Sequence, residues 1–163
     1  MNPASAKTSI NQVPALHKFT ASLGLSTFDF GAGKKGKIDE FYASQHLPRV
    51  YLPFDPFNRD KGENTKSWRY LEDEGVDIVT CANVLNVVEP HYLDSTLFNL
   101  AAATRHTFKG VCFVSVYHNR RLPKNRKVGD HFQRNEPISW YVPHLSRVFS
   151  SVDKLGQFLV CKV

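Results

Sequence analysis

Apolar residues in this chain fall into short continuous runs, and between the runs they recur every three to four positions. Runs suit strands buried on both faces, and the wider spacing suits amphipathic helices. Leu16, Phe19 and Leu23 recur at helical spacing within residues 13–23, with Gly24 as a stop. Residues 25–30 form a short apolar run ended by glycines, which predicts a buried strand. Residues 37–46 predict a helix with Ile38, Phe41 and Tyr42 on one face, and residues 50–54 a second strand. In the polar stretch 58–75, Trp68 and Leu71 predict a helix over 65–73. A third strand follows over 76–82, a helix over 94–108, and a β-branched and aromatic strand over 111–117. Residues 138–142 and 157–163 are further strand candidates, with 145–149 between them.

Alternation of strand and helix predicts a mostly parallel sheet with helices on both faces. The expected fold is therefore α/β: a single Rossmann-like three-layer domain over residues 13–163, strand-rich at its C-terminal end and preceded by a flexible arm, 1–12. Ligands of such sheets sit beyond the C-terminal ends of the strands. That rule gathers the Gly31 turn, the segment after Phe54 and the segment after Cys81 around one crevice.

Composition narrows the class. The chain has 163 residues, 42% hydrophobic and 22% charged, which allows an ordinary core of one domain. No stretch is apolar enough to span a bilayer, and the polar start MNPASAKTSINQ lacks the apolar middle of a secretory signal, so a cytoplasmic protein without a membrane partner is expected. Cys81, Cys112 and Cys161 each sit in an apolar run without zinc-knuckle spacing, and predict buried, reduced thiols. His91, His118, His131 and His144 are scattered, so no metal site is expected.

The segment FDFGAGKKGKID, residues 28–39, carries the candidate chemistry. Gly31, Gly33 and Gly36 fit a dinucleotide pattern, while Gly31, Gly36 and Lys37 fit most of a P-loop. A P-loop needs a hydroxyl where Ile38 stands, and a strand-end carboxylate for magnesium where DIVTCAN has none. A dinucleotide pyrophosphate would meet repulsion from Asp29, two residues before Gly31. The same carboxylate suits a ligand with a cationic end and no phosphate.

The run Asp29-Phe30-Gly31-Ala32-Gly33 resembles the first motif of class I S-adenosylmethionine-dependent methyltransferases. The resemblance covers roughly residues 27–118 and is greatest to small methyltransferase-like proteins of phages and mobile elements, which share "GAGK", "DP-aromatic-N", "VLNV" and a later "FQRN". It implies S-adenosylmethionine as cofactor, with Asp29, Gly31, Ala32 and Gly33 along its amino-acid end. It further implies Asp55, with Pro56, at the ribose hydroxyls, and Asn83 and Val84 under the cofactor. A ribose diol donates two hydrogen bonds, which one carboxylate can accept. The alternative is that Asp55 only starts the turn DPFN.

The net charge of +6 and the pI of about 9.3 matter because the charge clusters. Residues 118–134, HNRRLPKNRKVGDHFQR, show no helical or strand period and predict a long basic loop on the ligand-binding edge. Asn86, Tyr117, His118, Arg120, Arg121, Arg126 and Lys127 are the substrate-side candidates. A nucleic acid or another anionic substrate would explain the charge. The motif of DNA amino-methylating enzymes is absent, since Asn83-Val84-Leu85-Asn86 stands in its place. No catalytic base is assigned, because methyl displacement from a sulfonium chiefly needs alignment. The rival reading is a cofactor-fold module with little or no turnover that holds nucleic acid or a partner through the basic loop.

Overall fold

A computed structural model describes residues 10–45, 50–128 and 131–163, without the side chains of 126–128 and 131. The expected helix end at His46, most of the expected arm, and the side chains of Arg126, Lys127 and His131 lie outside the described residues. In chain order come α1 (Ala15–Ser22), β1 (Thr27–Phe30), α2 (Lys37–Ala43), β2 (Tyr51–Phe54), α3 (Lys61–Asp73), β3 (Ile78–Ala82), α4 (Leu93–Arg105) and β4 (Val111–Ser115). A hairpin of β5 (Asn125–Val128) and β6 (His131–Arg134) follows, then α5 (Val142–Leu145), β7 (Ser151–Leu155) and β8 (Phe158–Lys162).

The main sheet has the order β2-β1-β3-β4-β8-β7. Its first four strands are parallel, with Phe28 opposite Leu52 on one side and Val79 on the other. The C-terminal hairpin closes the edge, β8 antiparallel to β4 and β7 antiparallel to β8. Strand alternation sorts the core. Phe28, Phe30, Val79, Cys81, Cys112, Val114 and Leu159 pack with Leu71 of α3, Leu97 and Leu100 of α4 and Leu145 of α5. On the opposite face Ile78, Phe113 and Phe158 pack with Leu16 and Phe19 of α1. The domain is thus α/β, with a mostly parallel sheet between helices.

Three expectations change. Helix α3 starts at Lys61, a turn before the expected 65, because the Asp60 carboxylate accepts the Glu63 amide at 2.8 Å and caps it. Residues 138–142 are not a strand: Ile138–Tyr141 is a 3-10 turn that follows Pro137 and leads into α5, whose first turn holds Pro143. A proline lacks the N–H a ladder needs but fits a first helical turn. The basic segment is not all loop, since its second half is the β5–β6 hairpin. An isolated hairpin is marginal in water, and this one is tied down by Arg134. The Arg134 amide donates to the Asn86 carbonyl at 2.6 Å, and its guanidinium donates to the Leu85 carbonyl at 2.8 Å. That guanidinium also lies 5.1 Å from the rings of both Phe132 and Trp140.

All three cysteines are free and buried. Burial pushes the Cys81 and Cys112 thiols well above the ordinary range and the Cys161 thiol up to about 12. The folded state therefore holds these protons more tightly than the unfolded chain. Stability is unaffected below the unfolded thiol range, about 8.5, and falls as pH rises above it. Each thiol adds at most about 1.4 kcal/mol per pH unit to that fall. Urea titrations at pH 7, 9 and 10 are expected to show the midpoint dropping from pH 7 to 9 and more steeply from 9 to 10. A midpoint unchanged to pH 10 would show that the thiols titrate alike in both states.

Candidate functional site

The sheet order changes direction between β1 and β3, and a crevice of about 460 Å³ opens beyond the C-terminal ends of β1, β2 and β3. Asp29 lies at its base, 1% exposed. Its carboxylate accepts the Thr80 hydroxyl at 3.0 Å on Oδ1 and the Tyr51 hydroxyl at 2.9 Å on Oδ2. Burial first, and then the charges of Asp29 and Asp39, hold the Tyr51 phenol well above its usual range, so it stays a donor to Asp29. The cation-capable side chain beside Asp29, among the described residues, is His17 of α1, with Nε2 3.6 Å from Oδ1.

The glycine turn leaves β1 with Gly31 at φ +82°, a region that favours glycine. A Cβ there would sit 2.3 Å from Cγ2 of Val84, so only a glycine lets this turn pass against the segment after β3. Gly31 and Ala32 donate to the Phe54 carbonyl at 2.7 and 3.0 Å, which hooks the turn onto the end of β2. Asp55 takes over from there. Its Oδ2 accepts the Gly33 amide at 2.9 Å and the Asn58 side-chain amide at 3.1 Å. Its Oδ1 accepts the amides of Phe57 and Asn58 at 2.9 and 3.0 Å. Four donors fill the capacity of a carboxylate. Asp55 therefore ties two loops together, and a ribose hydroxyl could reach it only by displacing one of these donors. Asn58 Oδ1 is buried without a hydrogen-bond partner among the described residues, and Asn58 lines the crevice.

Arg59 locks this arrangement from behind. Its Nε donates to the Gly33 carbonyl at 2.9 Å, and its two remaining nitrogens reach Asp39 at 2.8 Å and Glu63 at 2.9 Å. Asp39 also accepts the Gly36 amide at 3.0 Å, so the start of α2 already faces a carboxylate. Lys34 and Lys35 point outward, and Lys35 lies 3.7 Å from Glu63. On the β3 side Asn83 sits at φ +60°, with its amide donating to the Ser115 carbonyl at 2.8 Å. Asparagine tolerates this conformation better than most residues. The first turns of α4 close the far wall with Ser95, Thr96 and Asn99.

Asp29, Gly31, Ala32, Gly33, Asp55, Pro56, Asn83 and Val84 all line this crevice. The substrate-side candidates with described side chains do not. Asn86 is 2% exposed, with Oδ1 unpartnered among the described residues. Tyr117, Arg120 and Arg121 are exposed and His118 is half-buried, beside the start of the basic segment. Asn135 pins that segment, accepting the Asn119 amide and donating to the Asn119 and Leu122 carbonyls, each at 2.8 Å. Arg134, 4% exposed, belongs to the anchor and not to the solvent-facing charge. Sequence reasoning missed His17, Phe57, Glu89 and Tyr92 as lining residues. A lone histidine between apolar helix positions carries no signal that separates it from a core residue. Among the described residues, no group of His, Cys, Asp or Glu is suited to hold a metal ion, and no helix is long and apolar enough to cross a membrane.

No family model matches the chain, and no curated protein matches it significantly.

Proposed function

We propose that the crevice binds S-adenosylmethionine and that the protein transfers its methyl group, with a nucleic acid the favoured acceptor. The observation that carries this reading is Asp29: a carboxylate 1% exposed that still lines an open crevice. A buried anion favours a cationic ligand and repels a phosphate. The capped start of α2 points the same way, because Asp39 occupies the place where a pyrophosphate would seek helix amides.

The residues present fit such a cofactor. The tight Gly31–Val84 approach shapes a narrow floor, and the unpartnered Asn58 Oδ1 offers an acceptor for a ribose hydroxyl. Asp55 acts on that contact by holding Asn58 and Gly33 in place. When bound, the cofactor supplies a methyl group on a sulfonium, already a good leaving group. The chain's part is to orient donor and acceptor and to exclude water. A nucleic acid acceptor is favoured by the exposed Arg120, Arg121 and Lys124 on a segment fastened to Leu85 and Asn86.

Calorimetry with S-adenosylhomocysteine and with NAD tests the reading. The wild type is expected to bind the first and not the second. Asp55→Ala is expected to weaken binding about tenfold, because the Gly33 amide and the Asn58 side chain lose the charged acceptor that holds them at the crevice, and such bonds contribute roughly 1.5–3 kcal/mol. Equal affinity in both proteins would remove Asp55 from the site. Preference for NAD would overturn the cofactor assignment.

A further inference from the structure

We infer that the mouth of the crevice is a subsite for one unpaired nucleobase, its face laid on Tyr92 and its edge met by the exposed polar face of α4. This rests on the nucleic-acid reading above and names which part of the polymer enters.

Tyr92 ends the short 3-10 turn Pro90–Tyr92 and stands immediately before α4. Tyr92, Ser95, Thr96 and Asn99 recur every three to four positions, so they share one face of the helix. All four line the crevice, while Leu93, Leu97 and Leu100 take the buried face. The helix thus gives its aliphatic residues to the core and turns a ring and three small polar groups to the crevice. The Ser95 and Thr96 hydroxyls donate to the Tyr92 carbonyl at 3.0 and 2.8 Å. Their protons are used, and each oxygen keeps acceptor capacity. Asn99 is exposed and brings both a donor and an acceptor. Tyr92 is 52% exposed, with the His91 ring 4.0 Å from its own. Phe57, 55% exposed, lines the same crevice from the turn after β2. Two exposed rings from separate elements on one crevice are not explained by packing of the core.

Charge decides which part of a polymer enters. Among the described residues, Asp29, Asp55 and Glu89 line the crevice and no Lys or Arg does. Phosphates are repelled there. The exposed cations Arg120, Arg121 and Lys124 lie outside it. Their segment is fastened by Arg134 to the carbonyls of Leu85 and Asn86, between the crevice-lining Val84 and Val87. A backbone held on that segment leaves the uncharged base to reach the mouth. A base inside a duplex has both faces covered by its neighbours, so the subsite takes an unpaired base from a single strand.

The test is anisotropy titration of labelled single-stranded DNA and RNA, and of an abasic chain of the same length, in the presence of S-adenosylhomocysteine. The proteins are the wild type, Tyr92→Leu and Tyr92→Phe. The abasic chain keeps the phosphates and lacks the base faces. The wild type is expected to prefer the base-bearing strands about tenfold, the size of one base stacked on one ring. Tyr92→Leu is expected to lose that preference while holding the abasic chain within about twofold of wild type, and Tyr92→Phe to keep it. Calorimetry of S-adenosylhomocysteine on the same proteins separates this subsite from the cofactor's. A Tyr92→Leu variant that loses affinity for S-adenosylhomocysteine but keeps the strand preference would assign Tyr92 to the cofactor and overturn the inference. A wild type that holds both kinds of chain equally would overturn it too, and that arm needs no variant if Tyr92→Leu melts early. A wild type that binds no strand removes the nucleic-acid acceptor itself, while its binding of S-adenosylhomocysteine tests the cofactor reading independently.

Discussion

Arg59→Met is expected to lower stability by about 3 kcal/mol and the melting temperature by roughly 6–12 °C for a domain of this size. The Arg59 side chain is 1% exposed and makes three hydrogen bonds in three directions, to the Gly33 carbonyl, Asp39 and Glu63. Burial opposes its charge, but the bonds to Asp39 and Glu63 more than offset this and raise its pKa overall. Methionine fills much of the volume and supplies none of the donors. Asp39 and Glu63, at 27% and 22% exposed, can regain water, which keeps the loss at the low end for a broken buried pair. The glycine loop loses its rear clamp in the same step, so cofactor affinity is expected to fall with stability. Arg59→Lys keeps the charge but not the fork, and is expected to fall between the two. Thermal melts with and without S-adenosylhomocysteine check both effects. An unchanged melting temperature in Arg59→Met would show that the guanidinium is dispensable to the loop.

The parts of this fold that were legible in the sequence are those where local pattern and tertiary environment agree. β1, β3 and β4 are buried on both faces, and TFDF, IVTCA and VCFVS announce that as apolar runs. The elements that were not legible depend on distant partners. β7, SVDKL, is a half-exposed edge strand whose pairing with β8 is set by the turn at Gly156. The β5–β6 hairpin is charged and gains its place from Arg134 on Leu85 and Asn86. In the opposite direction, ISWYV looks like a strand by residue type, yet the flanking prolines bias it toward helical turns. At the site, the glycine turn and the Asp55 turn were visible because backbone conformation demands those residue types. The saturation of Asp55 by four donors was not, because three of them come from the turn it begins and the fourth from Gly33, 22 residues away.

Replacing Arg120, Arg121, Arg126 and Lys127 together by alanine is expected to abolish most nucleic-acid binding at physiological salt. The motive is their concentration within one short segment of a chain whose net charge is +6. Arg120 and Arg121 are exposed, and the neighbouring Lys124 lies 3.9 Å from Glu136. Such side chains act mainly through phosphates, so the loss should be nearly independent of sequence. Each contact removed should lower the slope of log affinity against log salt by about one, and the four together by about four. Arg134 is kept, because its removal would free the hairpin and confuse loss of charge with loss of fold. Labelled DNA and RNA are titrated at several salt concentrations, and methyl transfer to the same molecules is assayed alongside. Binding and transfer lost together would make the nucleic acid the acceptor. Wild-type binding without transfer on any nucleic acid would favour the non-catalytic module, in which the cofactor crevice serves recognition and not turnover. If the four alanines change neither quantity, the segment is a solvated surface, and the acceptor is to be sought among small molecules or proteins that reach the crevice past Phe57 and Tyr92, both exposed at its rim.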